Sequence, residues 1–104
     1  MKPLTKEYII KNSKPHGMSL NGITDYKNAR QYTEKVGRYT LSIVGGCSKL
    51  YGDFKNTFEV ALIDESDSKF VTGKFSSSTK SDDVLGYATI DEINDLYFNI
   101  PRKG

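Results

Sequence analysis

Residues 23–37 read ITDYKNARQYTEKVG, and the layering of the fold turns on them. Ile23, Tyr26, Ala29, Thr33 and Val36 recur at spacings of three and four, which draws one narrow apolar stripe along a helix. Thr24 or Asp25 supplies a cap at its start, and Gly37 supplies a left-handed stop. Lys27, Arg30, Glu34 and Lys35 fall off the stripe, toward solvent. The spacing therefore predicts an amphipathic helix over 23–37.

A shorter helix precedes it. TKEYIIKN, 5–12, starts on Thr5 as N-cap and has Tyr8 and Ile9 as its apolar side. Pro15, Gly17 and Gly22 mark SKPHGMSLNG, 13–22, as a loop.

Downstream the period changes to two. Tyr39, Leu41 and Ile43 alternate with Thr40, Ser42 and Val44. Phe58, Val60 and Leu62 share one face of a second strand, with Glu59, Ala61 and Ile63 on the other. DESDS, 64–68, is a turn, and KFVTGKFS, 69–76, returns as its hairpin partner. SSSTKSDD, 76–83, is polar, and VLGYAT, 84–89, is a short fourth strand. The last element is a helix: Thr89 and Glu92 have the spacing of a capping box, Ile90, Ile93, Leu96, Tyr97 and Ile100 make its buried side, and Pro101 ends it.

These elements predict a single α+β domain over 1–104: an antiparallel sheet of three to four strands with helices packed on one face, in the order α-α-β-β-β-(β)-α. The 104-residue length suits one modest core, filled without Trp by seven Tyr and five Phe. No apolar run approaches the roughly 20 residues a membrane helix needs. The N-terminus lacks the uninterrupted apolar stretch of a signal peptide, and one Cys forms no internal disulfide, so the expected setting is cytoplasmic, away from membranes. Twelve of fifteen basic residues are Lys, beside abundant Ile, Asn and Tyr, a bias that suggests an AT-rich bacterial or phage genome.

The chemistry-bearing residues are few. Cys47 follows two glycines in LSIVGGCSKLYGD, 41–53, but a cysteine nucleophile needs a base, and the one His, His16, stands in a distant loop. Cys47 reads instead as a small filler in a flexible joint between strands, and no catalytic residue is assigned. Zinc needs three or four ligands at local spacing, which one Cys and one His do not give. DESDSK lacks the glycine of a calcium loop, and TGKFS lacks both the leading glycine and the Ser/Thr after Lys74 that a phosphate loop requires. No metal and no cofactor is expected.

Two surfaces remain. Tyr51 and Phe54 are aromatic residues in the glycine-rich connector, a setting suited to protein contact. Residues 1–38 carry eight Lys/Arg against three Asp/Glu, and Lys6, Lys11, Lys14, Lys27, Arg30 and Arg38 alternate with tyrosines as a nucleic-acid surface would. The leading expectation is a non-enzymatic binding or regulatory protein acting on another protein, for instance a phage inhibitor of a host factor. The alternatives are a nucleic-acid binder using the basic N-terminal third, and a small cysteine-dependent enzyme. An exposed edge strand would also allow a homodimer.

Overall fold

The computed structural model describes residues 2–16, 26–76 and 84–102. Its elements, in chain order, are α1 (Lys6–Lys11), β1 (Lys14–Pro15), a 3-10 turn (Tyr26–Asn28), β2 (Arg30–Val36), β3 (Tyr39–Gly45), β4 (Phe58–Asp64), β5 (Lys69–Phe70), α2 (Thr72–Phe75), β6 (Leu85–Ala88) and α3 (Ile90–Asn99). The class is α+β with an antiparallel sheet, but among the described residues the sheet already has six strands, not three or four. Strands run β1-β2-β3-β4-β5, and β6 also pairs with β4.

The principal correction concerns residues 23–37. Ile23, Thr24 and Asp25 lie outside the described residues, the 3-10 turn follows, and Arg30–Val36 is a strand. It pairs with β3 over seven registered positions, from Arg30↔Gly45 to Val36↔Tyr39. Alternation within it puts Tyr32, Glu34 and Val36 on one face, opposite Ile43, Leu41 and Tyr39. Tyr32 and Val36 are buried there. The two-residue link Gly37-Arg38 explains the choice. Gly37 sits at φ +59° while Arg38 does not share a positive φ, the sign pattern of a type II′ hairpin turn.

The covered face of the sheet holds Leu41, Ile43, Phe58, Val60, Leu62 and Leu85, all fully buried. Ile9 of α1 and Ile93, Leu96 and Tyr97 of α3 join them in one cluster. The opposite face presents Gln31, Thr33, Lys35, Thr40, Ser42, Glu59, Ala61 and Ile63, half-buried or exposed. Thr5 caps α1 by accepting from Tyr8 N, and the Thr89/Glu92 capping box opens α3. The two outer helices of the sequence reading thus stand.

The stretch 69–76 departs from the expected return strand. Only Lys69–Phe70 pairs with β4, through Ile63↔Phe70 and Asp64↔Lys69. Val71 N adds a bond to Leu62 O at 2.8 Å, and then the Thr72 hydroxyl, not a backbone carbonyl, accepts from Leu62 N at 2.9 Å. That substitution ends the ladder, the chain turns into α2, and β6 takes the rest of the β4 edge. TGKF is therefore a helical turn. The β6 pairing is irregular. Phe58↔Ala88 and Val60↔Leu85 set two steps on β4 against three on β6, so β6 carries a bulge at Gly86-Tyr87.

Candidate functional site

The connector 46–57, between β3 and β4, shapes one wall of a half-open groove of about 930 Å3. Ile10 of α1, Leu50, Phe54 and Tyr87 line it, with Arg30 and Lys55 as its basic residues. The connector is not a loose joint. A Cβ at Gly52 would stand 2.6 Å from the Phe58 Cα, so backbone lies against backbone. Asp53 then organises a tight turn. Its Oδ1 accepts from Lys55 N and Asn56 N at 2.9 Å and from Thr57 N at 3.0 Å. Bonds from Thr57, Asn56 and Lys55 hold the Asp53 carboxyl well below the usual carboxylate range.

That turn separates the two aromatic residues singled out in the sequence. Phe54 takes a left-handed backbone, φ +59°, and is 5% exposed. Its ring meets Phe58 edge-on at 5.2 Å. Phe54 is core, apart from the part that lines the groove. Tyr51 is 53% exposed, with both its backbone polar groups hydrogen-bonded. Its N–H donates to Glu59 Oε1 at 3.1 Å, and its carbonyl accepts from Tyr87 N at 2.8 Å.

Tyr87 was not singled out in the sequence. It sits in the β6 bulge with φ +51°, a conformation a non-glycine residue rarely adopts. It is 60% exposed, and its ring lies 5.9 Å from that of Tyr51. The bulge is a property of strand pairing, so only "LGYA" with its glycine hinted at it.

The basic residues are dispersed. Lys6 Nζ donates to Asn56 Oδ1 at 3.0 Å, against the connector turn. Lys14 is exposed opposite Gln31, and Lys27 is exposed just before β2. Arg30 is committed to Ser13, with Nε donating to the hydroxyl at 3.1 Å and an amino group to the carbonyl at 2.8 Å. Lys11 is exposed at the end of α1. Arg38 lies in the hairpin turn at the far end of β2, and the six steps from Arg30 to Val36 alone span about 20 Å at the usual strand rise. There it pairs with Asp64 at 3.0 Å and stacks on Tyr39. Arg38 is therefore remote from the other five.

Cys47 is buried. His16 N donates to Ala29 O at 2.9 Å, extending the Pro15↔Arg30↔Gly45 register. The backbones of His16 and Gly46 thus flank Ala29, about 10 Å apart by two strand spacings. Separation and burial give no support to a His-activated thiolate. Among the described residues, no three His, Cys, Asp or Glu side chains converge as a metal site would need. No described helix is long and apolar enough to cross a membrane.

Glu34 also departs from its expected place off an apolar stripe. It lies on the covered face of β2 and is half-buried. Its Oε1 accepts from Tyr32 OH at 2.6 Å and its Oε2 from Tyr97 OH at 2.5 Å. Burial first, and then the Glu34 bond, pushes both phenols above their ordinary range, so both stay proton donors. No protein-family model, no curated protein and no solved structure matches this chain.

Proposed function

We propose that this chain is a non-enzymatic binding protein that grips another protein through the Tyr51–Tyr87 pair and the groove beside it. The observation that carries the reading is the β6 bulge. A left-handed, non-glycine residue is an unfavourable conformation, of order 1 kcal/mol or more, and here it turns a large aromatic side chain out to solvent. Tyr87 is braced by its backbone bond to Tyr51, and Tyr51 by Glu59. Two exposed, pre-positioned tyrosines lose little freedom on contact, which is the composition of a binding hot spot. Ile10, 40% exposed, adds apolar surface across the groove.

The charge of the groove supports a reading of the partner's chemistry. Among the described residues, Arg30 and Lys55 are the cations that line it, and the one lining carboxylate, Asp53, is turned onto backbone N–H groups. An apolar segment flanked by acidic residues complements that wall. The basic residues Lys11, Lys14 and Lys27 support a second reading, in which the tyrosines stack on bases.

Immobilised protein and its Tyr87→Ser variant, each checked for an unchanged circular dichroism spectrum, are exposed to a lysate of the source cell and separately to DNA and RNA at two salt concentrations. The proposal expects a protein held by the native chain, lost with Tyr87→Ser, and still held at the higher salt. Equal retention by both chains overturns it. Nucleic-acid binding that weakens steeply with salt, with no Tyr87-dependent protein, establishes the second reading instead.

A further inference from the structure

We propose that the groove on the other flank of α1, around Glu34, is a binding site for an organic cation. This half-open groove of about 750 Å3 is lined by Tyr8, Tyr32, Glu34 and Tyr97, and by Lys2 and Thr5. Tyr8 meets Tyr32 edge-on, with ring centres 6.0 Å apart. A carboxylate therefore stands among three phenol rings.

That carboxylate is unbalanced. Two hydroxyls occupy one lone pair on each oxygen, which leaves further acceptor positions on both. Hydroxyls do not neutralise its charge, and among the described residues no cation pairs with it. The guanidinium of Arg102 stacks on the Tyr97 ring at 4.8 Å, donates to the carbonyls of Ile100 and Tyr97, and also acts on the Tyr97 hydroxyl, so its charge stands behind that phenol without pairing directly with Glu34. The remaining acceptor positions of Glu34 face a groove into which a cation's N–H groups can reach.

The surroundings select the kind of cation. A calcium or magnesium ion takes six or more oxygen ligands, and one carboxylate flanked by phenols does not supply them. An alkylammonium group matches both features: its charge meets Glu34, and its carbon-bound face lies against tyrosine rings through cation–π attraction. Lys2, on the same groove, brings a competing charge. The site is independent of the Tyr51–Tyr87 surface, so either can fail alone.

The test follows the ring and carboxylate resonances by NMR while n-butylammonium, N-acetyl-lysine amide and the uncharged N-acetyl-norleucine amide are titrated in. The proposal expects saturable shifts at Tyr8, Tyr32, Glu34 and Tyr97 with both cations, with dissociation constants on the order of millimolar, and none with the neutral analogue. Tighter binding of the lysine amide assigns the site to a protein side chain, and equal binding assigns it to a small amine. Glu34→Gln, which keeps the shape, is expected to abolish the shifts. Tyr8→Leu changes an exposed side chain outside the Glu34 hydrogen bonds and is expected to weaken binding roughly 2- to 30-fold with the fold intact. Lys2→Ala is expected to strengthen it. Silence of these resonances with both cations in the Lys2→Ala chain overturns the proposal. So do shifts of equal size with the neutral analogue, and so does undiminished binding by a folded Tyr8→Leu chain.

Discussion

At the scale of single residues, Asp53 decides where its neighbours point. One carboxylate oxygen gathers three successive backbone N–H groups, and the turn it closes sends Phe54 inward onto Phe58. Because those bonds favour the charged form, the folded-state pKa of Asp53 is depressed below its unfolded value. Its contribution is then complete above the unfolded aspartate pKa of about 3.9 and is lost as pH falls through the folded value. Asp53→Asn keeps the side-chain shape but removes the charge. The variant is expected to be less stable than the native chain at neutral pH, with the gap closing steadily below about pH 4. Urea midpoints of both chains from neutral to acid pH measure this. A gap independent of pH would mean that the turn needs only a neutral acceptor.

At the scale of elements, the caps that were readable in sequence carry measurable stability. Thr89 accepts from Glu92 N at 3.3 Å, and Glu92 Oε1 accepts from Thr89 N at 3.1 Å. Thr89→Ala is expected to lower unfolding stability by about 1 kcal/mol, with Thr89→Ser restoring most of it, as read by denaturant midpoints. Such helices are legible because cap, stripe and stop are all local. The segment 23–37 was not, for an equally physical reason. A positive-φ glycine serves both as a helix C-terminus and as the first residue of a II′ hairpin turn, so Gly37 fitted either structure. Val36 fits the helical stripe and the alternation of two alike, whereas Thr33, which counts on the stripe, falls on the open face, and Tyr32, which the stripe leaves out, is buried. What separates the readings is the partner, Leu41 and Ile43 in β3, and a partner is not a local property. The candidate sites divide the same way. Tyr51 was visible as an aromatic residue in a glycine-rich connector. Phe54 looked equivalent until the Asp53 turn distinguished it. Tyr87 depended on a bulge and Glu34 on β2 being a strand, so neither could be found without the sheet.

At the scale of the whole molecule, the two ends of the chain close on each other, and both grooves depend on that closure. Leu4 N donates to Asn94 Oδ1 at 2.8 Å, and Asn94 Nδ2 donates back to Leu4 O at 2.8 Å, across 90 residues of sequence. α1 has only six residues and buries only Ile9. A helix that short does not persist by its own hydrogen bonds. The Asn94 clasp, Lys6 on Asn56 and the buried Ile9 side chain hold it to the domain. From there it serves both surfaces, with Ile10 lining the groove beside Tyr87 and Tyr8 the groove around Glu34. Asn94 lines neither. Asn94→Ala leaves the Leu4 N–H and carbonyl without their partner, an expected loss of about 1–3 kcal/mol. The loss should be local before it is global. In hydrogen exchange, Ile9 and Asn12, whose amides close the α1 turns, are expected to exchange faster while those of β3 and β4 change little. Binding at both grooves should weaken together, whereas Tyr87→Ser and Tyr8→Leu should each weaken only their own. If Asn94→Ala instead accelerates exchange equally in α1 and in the central strands, then α1 is part of the cooperative core, and the two grooves share the stability of the sheet rather than a common hinge.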